Sequence, residues 1–247
     1  MLFFRTVDGP CQQAAVLLQW DYSLKGKVRT MQHYDVVLFD LDGTLTDPGL
    51  GITNAVAHAL RRFGIPVPPR TELYKFIGPP LVDSFMEYYG MTREQADTAV
   101  VYYREHYRDI GLFENVVYDG IDAMLAHLTA AGKTPVLATS KPEVFARRIL
   151  ERFHLDGYFP FVAGATLDGS LSTKGDVIAH ALTLCQPGDL RRVVMVGDRK
   201  HDILGAQQNG LDAVGVLYGY GDRPELEQAG AAYIVPTVTD LEVLLLG

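Results

Sequence analysis

Short apolar runs that end on a polar or acidic residue recur along this chain, and most are followed by a stretch with helical spacing. Residues 34–39 (YDVVLF) run into Asp40, residues 134–139 (TPVLAT) into Ser140 and Lys141, and residues 192–196 (RVVMV) into Gly197 and Asp198. Shorter runs occupy 159–163, 213–217 and 233–235. Runs of this kind suit strands buried on both faces. Helical spacing fills 121–131, 142–153, 174–184 and 203–209. Strands alternating with helices predict an α/β fold, a Rossmann-like parallel sheet with helices on both faces. Such a sheet gathers its functional groups at the carboxyl ends of its strands.

The alternation breaks once. Between Asp47 and Asn115 the pattern is helical throughout: 51–63, with Ile52, Ala55, Val56, Ala59, Leu60 and Phe63 on one face, then 73–77, 81–89 and 92–107. Thr92, with Gln95 three residues on, predicts a capping box for the last of these. The expected organisation is a core of residues 33–46 and 116–247, an inserted all-helical cap of residues 47–115, and a loosely held N-terminal extension of residues 1–32. Met31 stands just before the first convincing strand. The extension lacks a basic start, a long apolar centre and a small-residue cleavage site, so it does not read as a secretory signal.

Composition excludes some partners. The net charge is −8 and no basic stripe stands out, which argues against a nucleic-acid polymer. Apolar stretches fall far short of the ~20 residues that cross a bilayer, so no membrane partner is expected. Cys11 and Cys185 are the only cysteines, too few and too far apart for a disulfide framework or a metal knuckle. They read as reduced thiols of a cytoplasmic protein. Oligomeric state leaves no trace in the sequence.

The chemistry sits at the strand ends. Asp40 and Asp42 follow the first strand two positions apart, and Gly43 lets the backbone turn sharply. A carboxylate can attack phosphorus and form an aspartyl-phosphate. A neighbouring carboxylate can protonate the leaving oxygen and later activate water. By itself an Asp-Gly turn at a strand end is commonplace. The run VLFDLDGTLT is far more specific. It resembles the first signature of the haloacid dehalogenase superfamily, in its phosphatase branch, and the resemblance extends from about Tyr34 to the C-terminus.

That resemblance implies Asp40 as nucleophile, Asp42 as general acid and base, and a Mg²⁺ ion held by Asp40, the backbone carbonyl of Asp42, and Asp198. It implies Thr139 as a phosphoryl ligand, with Ser140, Gly43 and Thr44 on the phosphate side. Lys174 matches the lysine that screens charge between nucleophile and phosphoryl group. Many relatives read Lys-Pro there, whereas this chain reads Lys174-Gly175. Lys141 is a rival because it precedes a proline, but it directly follows the second element and leaves no room for a separate third one. Asp202, four residues after Asp198, is expected to orient Lys174 or stand behind the metal. His201 has no cysteine or histidine at zinc-binding spacing.

The helical insert matches the position of a cap that closes over such a site. Lys75 and Gly78, in the turn KFIGPPL, are candidate substrate-reading residues, and Tyr102, Tyr103, Arg104 and Tyr107 offer surfaces for a base or sugar. Stretches such as FIGPPL, YREHY and STKGDVI look most like bacterial members labelled 5′-nucleotidase or phosphoglycolate phosphatase. The expected activity is Mg²⁺-dependent hydrolysis of a small phosphorylated metabolite, a 5′-nucleotide or phosphoglycolate. A sugar phosphomutase is one alternative; the lack of a clear cap arginine for a second phosphate argues against it. A non-catalytic binding module is the other, and it predicts that one of Asp40, Asp42, Lys174 and Asp198 is missing, which none is.

Overall fold

The computed structural model describes residues 33–247; the expected N-terminal extension, with Met31, lies outside the described residues. Strand β1 (Val36–Phe39) leads through Asp40–Leu45 to a two-residue strand, β2 (Thr46–Asp47). Four helices follow: α1 (Gly49–Arg62), α2 (Arg70–Leu73), α3 (Leu81–Tyr89) and α4 (Arg93–Tyr107). The chain returns through β3 (Val116–Val117) and helix α5 (Ile121–Ala130). Alternation then resumes with β4 (Thr134–Pro142), α6 (Glu143–Arg152), β5 (Phe161–Ala165), α7 (Lys174–Cys185) and β6 (Val193–Gly197). Helix α8 (Lys200–Gln208), β7 (Asp212–Val216), α9 (Arg223–Ala229), β8 (Tyr233–Val235) and α10 (Val238–Leu246) complete the chain.

Six strands form one parallel sheet in the order β5-β4-β1-β6-β7-β8. Strand β1 is central, with Phe39 level with Leu137 on one side and Val196 on the other. That register brings Asp40, the Thr139–Lys141 stretch and Asp198 to the same edge. Side chains alternate across the sheet as the strand period requires. Val37, Phe39, Leu137, Val194 and Val196 pack on one face with Leu125, Ile149 and Leu241. Leu38, Val136 and Met195 pack on the other with Ile178, Ile203 and Leu226. Phe39 meets Phe159 edge-on at 6.3 Å; truncating such a buried ring costs about 3–5 kcal/mol.

Strands β2 and β3 pair antiparallel where the chain leaves and re-enters the sheet region. Among the described residues only helices and turns lie between them. The first apolar cluster runs on without a break into Ile52, Phe76, Phe85 and Tyr103 of that segment. Thr92 and Gln95 form the expected capping box on α4.

Several boundaries differ from the sequence reading. The helix expected over 73–77 is the short α2 followed by a 3₁₀ turn, and Ile77 is extended ahead of Gly78-Pro79-Pro80. Strand β5 starts at Phe161 because a 3₁₀ turn occupies Asp156–Tyr158 and Phe159 precedes a proline. Helix α8 starts at Lys200 rather than at 203, where Asp202 Oδ2 accepts the Arg199 amide at 3.1 Å. Helices α9 and α10 lie where the hydrophobic spacing predicts none. Their caps were legible: Asp222 accepts from the Glu225 amide, and Thr237 from the Asp240 amide.

Candidate active site

Two buried lysines each face one of the two leading acids. Lys174 Nζ lies 2.8 Å from Asp40 Oδ1 and 2.8 Å from Asp202 Oδ1, and donates to the Ala138 carbonyl at 3.2 Å. Lys141 Nζ lies 2.9 Å from Asp42 Oδ2 and donates to the Tyr107 hydroxyl. Both ammonium groups are buried, with side-chain exposures of 5% and 4%. The expected Lys174–Asp202 contact is therefore present. Lys141, weighed only as a substitute for Lys174, has a partner of its own.

Helix packing explains the Lys-Gly departure. A methyl group on Gly175 would fall on the Gln208 side chain of α8, and one on Gly205 would lie 2.9 Å from Lys174 Cγ. The two glycines let α7 and α8 cross closely, which sets the ammonium of Lys174 beside Asp202.

Gly43, Gly219 and Gly221 enclose Asp198 just as tightly. A methyl group on any of the three would collide with an Asp198 atom, and Gly43 also has φ +82°. Asp198 is fully buried; its Oδ2 accepts the Tyr220 amide at 2.7 Å, and its Oδ1 has no hydrogen-bond partner. Tyr220 in turn donates to Asp47, and Tyr218 donates to the Thr44 carbonyl at 3.1 Å. This loop after β7 was not singled out from the sequence for a site role; its closely spaced glycines, Gly219 and Gly221, were the available signal.

Carboxylate oxygens of Asp40, Asp198 and Asp202 lie within 4.8 Å of one another. An oxygen-only donor set with an orphaned buried oxygen on Asp198 fits a hard cation such as Mg²⁺. Asp202 has both oxygens engaged, by Lys174 and by the Arg199 amide, and so stands behind Asp40 and Asp198 in such a set.

Burial governs the protonation of these acids. Desolvation raises the pKa of Asp42, against the lowering effect of Lys141. Desolvation, with Asp202 nearby, pushes Asp198 well above the usual carboxylate range. Asp202 is likewise pushed up by burial and pulled back by Lys174. Burial alone would lower Lys174, but the Asp202 and Asp40 carboxylates prevail and raise it.

Asp40 and Asp42 open into a cavity of about 330 Å³ between the sheet edge and the helical segment. Asp40, Asp42, Thr139, Ser140 and Lys141 line its base. Thr139 Oγ1 accepts the Lys141 amide at 3.2 Å, while Thr44 is fully buried and its hydroxyl has no partner. Ser140 does not cap the following helix, whose N-cap is Pro142. Phe76, Leu81, Val100, Tyr103 and Tyr107 form an apolar and aromatic wall opposite.

The two cap candidates differ in placement. Lys75 is exposed and does not line the cavity; its Nζ lies 4.4 Å from the centre of the Tyr88 ring. Gly78 does line it, with φ +100°, but its added methyl would lie 2.9 Å from Arg199 Cγ. Gly78 thus permits a close passage over Arg199, which donates to the Ile77 carbonyl at 2.6 Å and pairs with Glu225 at 2.9 Å. Arg93 and Arg104 also line the cavity, so the argument that the insert lacks a well-placed arginine falls.

A model of the haloacid dehalogenase-like hydrolase family matches residues 37–216. The chain belongs to this family. It is 47% identical over 193 residues to a 5′-nucleotidase of Pseudomonas aeruginosa, spanning 78% of this chain and 87% of that protein. It is 42% identical over 204 residues to the tyrosine-protein kinase PtkA of Mycobacterium tuberculosis, spanning 83% of this chain and 69% of that protein. Among solved structures, a predicted phosphatase from Clostridium acetobutylicum matches with a TM-score of 0.84 at 48% identity, covering 87% of this chain and 99% of that one. No described helix is long and apolar enough to cross a membrane.

Proposed function

We propose that the chain is a magnesium-dependent phosphomonoester hydrolase that works through an aspartyl-phosphate on Asp40, with a 5′-nucleotide or phosphoglycolate as substrate. The observation that carries this reading is the grouping of Lys174 and the orphaned Asp198 oxygen around Asp40, which itself lines a cavity walled by residues of the helical segment, 47–115, acting as a cap.

Asp40, the Asp42 carbonyl and Asp198 would hold the ion. When bound, Mg²⁺ supplies positive charge against the phosphoryl oxygens. Lys174 holds the Asp40 carboxylate in place and offsets negative charge beside it. Asp40 attacks phosphorus in line; the P–O ester bond breaks, and the leaving oxygen takes the Asp42 proton. Burial of Asp42 favours its holding that proton. Asp42 then takes a proton from water, whose oxygen attacks the aspartyl-phosphate and releases inorganic phosphate. Thr139, where the pairing of β4 with β5 shifts register, offers its hydroxyl to the phosphoryl group. Most of the catalysis is positioning and electrostatics, as phosphoryl transfer requires.

Two observations keep other acceptors in view. Arg93 and Arg104 on the cavity wall could hold a second phosphate, as a sugar phosphomutase would need. One relative of comparable identity is named a tyrosine-protein kinase. Release of inorganic phosphate decides among them. Nucleoside monophosphates, phosphoglycolate, sugar phosphates and p-nitrophenyl phosphate should be compared by kcat/KM with Mg²⁺. Asp40→Asn should abolish phosphate release while leaving the circular dichroism spectrum unchanged. Turnover near wild type in that variant removes the mechanism, and activity on no ester favours a binding module.

A further inference from the structure

We propose that Lys141 reads the leaving group of the substrate, selecting phosphate monoesters that carry an oxygen acceptor on the second carbon from the ester oxygen. The inference rests on the phosphatase reading above. Lys141 Nζ has three N–H donors. One faces Asp42 Oδ2 at 2.9 Å and one goes to the Tyr107 hydroxyl. The third has no acceptor among the described residues, and the side chain lines the cavity.

Its position says which part of a substrate it meets. Asp42 serves the ester oxygen, and Lys141 sits directly beside Asp42. The ammonium therefore stands two hydrogen bonds and at most one carboxylate width from the ester oxygen, roughly 8 Å when fully extended and less when bent. An oxygen two carbons away from the ester falls within reach of the free N–H. On the proposed mechanism phosphoryl oxygens are served instead by Lys174 and Thr139. Tyr107, whose ring centre is 4.6 Å from Nζ, fixes the ammonium from the helical segment. Lys141 thus joins the sheet edge to the segment that walls the leaving group.

The chemistry unites the two substrate classes already in view. In phosphoglycolate the second carbon is the carboxylate itself, and in a pentofuranose 5-phosphate it carries the ring oxygen. Ethyl phosphate has the same ester bond and no such oxygen. A hydrogen bond from a charged donor to an oxygen is worth more than one between neutral groups, most of all when the acceptor is anionic.

The test compares kcat/KM for phosphoglycolate and ethyl phosphate in the wild type and in Lys141→Met. A shared effect on folding, on Asp42 or on metal binding cancels in the ratio. The wild type is expected to favour phosphoglycolate by on the order of 10- to 100-fold, the discrimination available to one charged hydrogen bond, and Lys141→Met to bring the ratio close to one. Lys141→Gln keeps a donor for Asp42 and guards against a variant that fails to fold; its ratio should drop at least about threefold. A ratio that survives both substitutions overturns the inference, and so does a uniform fall with both substrates. Isothermal titration with 3-phosphonopropionate and propylphosphonate, which cannot be hydrolysed, repeats the comparison without turnover. If the wild type hydrolyses no ester, the phosphatase reading fails and titration alone judges Lys141. If it hydrolyses esters with a ratio near one, only the Lys141 inference fails.

Discussion

Replacing Lys174 by methionine keeps the length of the side chain and removes a cation held between two buried carboxylates. Nζ is 2.8 Å from both Asp40 and Asp202, whose side chains are 6% and 1% exposed. Breaking a buried ion pair from one side costs about 3–5 kcal/mol, because the remaining charge has no partner and little water. Set against a typical total of about 5–15 kcal/mol, that is a large loss. Urea unfolding of the metal-free protein at pH 8 should show it as a lower midpoint with an unchanged slope.

The loss should shrink at lower pH, and the sign follows from the Asp202 proton. Burial raises the pKa of Asp202 to about 6 with Lys174 present, and removing the lysine takes away the influence that pulls it down. A free aspartate titrates near 3.9. A folded-state pKa above the unfolded one means that the folded protein binds the proton more tightly. Its contribution to stability is fully present below the unfolded pKa and is lost as pH rises through the folded one. At pH 5.5 the variant neutralises Asp202 and the deficit falls to roughly half of its pH 8 value. Lys174→Met combined with Asp202→Asn should recover about 1–2 kcal/mol at pH 8, since one stranded charge is gone. Equal deficits at the two pH values, together with simple additivity in the double variant, would refute the argument from uncompensated charge.

Three further outcomes follow from the same geometry. Gly43→Ala places a methyl on the Asp198 carboxylate at a residue with φ +82°; it should cost about 1–3 kcal/mol and weaken Mg²⁺ binding by titration calorimetry, whereas unchanged binding would remove the cradle from the account. With EDTA present, the melting temperature should rise as pH is lowered through the folded-state values of Asp42 and Asp198, because burial raises both above their free values and protons then favour the folded state; Mg²⁺ should raise it more at high pH than at low, and the opposite trend would count against a metal site on Asp40 and Asp198. Gly78→Ala, at φ +100° and 2.9 Å from Arg199 Cγ, should destabilise more than Gly90→Ala, at φ +63° with nothing within 4 Å; thermal melts in parallel check the order, since both share the backbone strain of about 1 kcal/mol and only one adds a collision.

The core of the fold was legible because strand and helix periods differ and the runs are apolar enough to register. Strands β2 and β3 were not, since two residues carry no period. Helices α9 and α10 were overlooked despite caps at Asp222 and Thr237. Asp40, Asp42, Thr139 and Asp198 follow or end apolar runs, but their roles, with those of Lys174 and Asp202, came from the resemblance to the haloacid dehalogenase superfamily; the parallel register of β1, β4 and β6 brings Asp40, Thr139 and Asp198 to one edge. What could not be read was anything set by chain crossing. Lys75 looked like a cap cation but packs on Tyr88, and of Tyr102, Tyr103, Arg104 and Tyr107, offered together as surfaces for a base or sugar, all but Tyr102 line the cavity. The Asp198 enclosure depends on Gly43 and Gly219, which are far apart in sequence and meet only in the fold.

Two lysine–acid pairs divide this site by what each can influence. Lys174 is held by Asp40 and Asp202, all from elements that belong to the sheet and its covering helices. On the proposed mechanism Lys174 acts on the phosphoryl group, which every substrate shares, so its loss should lower kcat/KM for all esters by similar factors. Lys141 is held by Asp42 on one side and by Tyr107 of the helical segment on the other. It faces the part in which substrates differ, so its loss should reorder them. One substrate panel run on both variants separates the roles. Parallel losses for Lys174→Met and a changed ranking for Lys141→Met are expected. The reverse assignment would mean that the nucleophile side, and not the cap side, chooses the substrate.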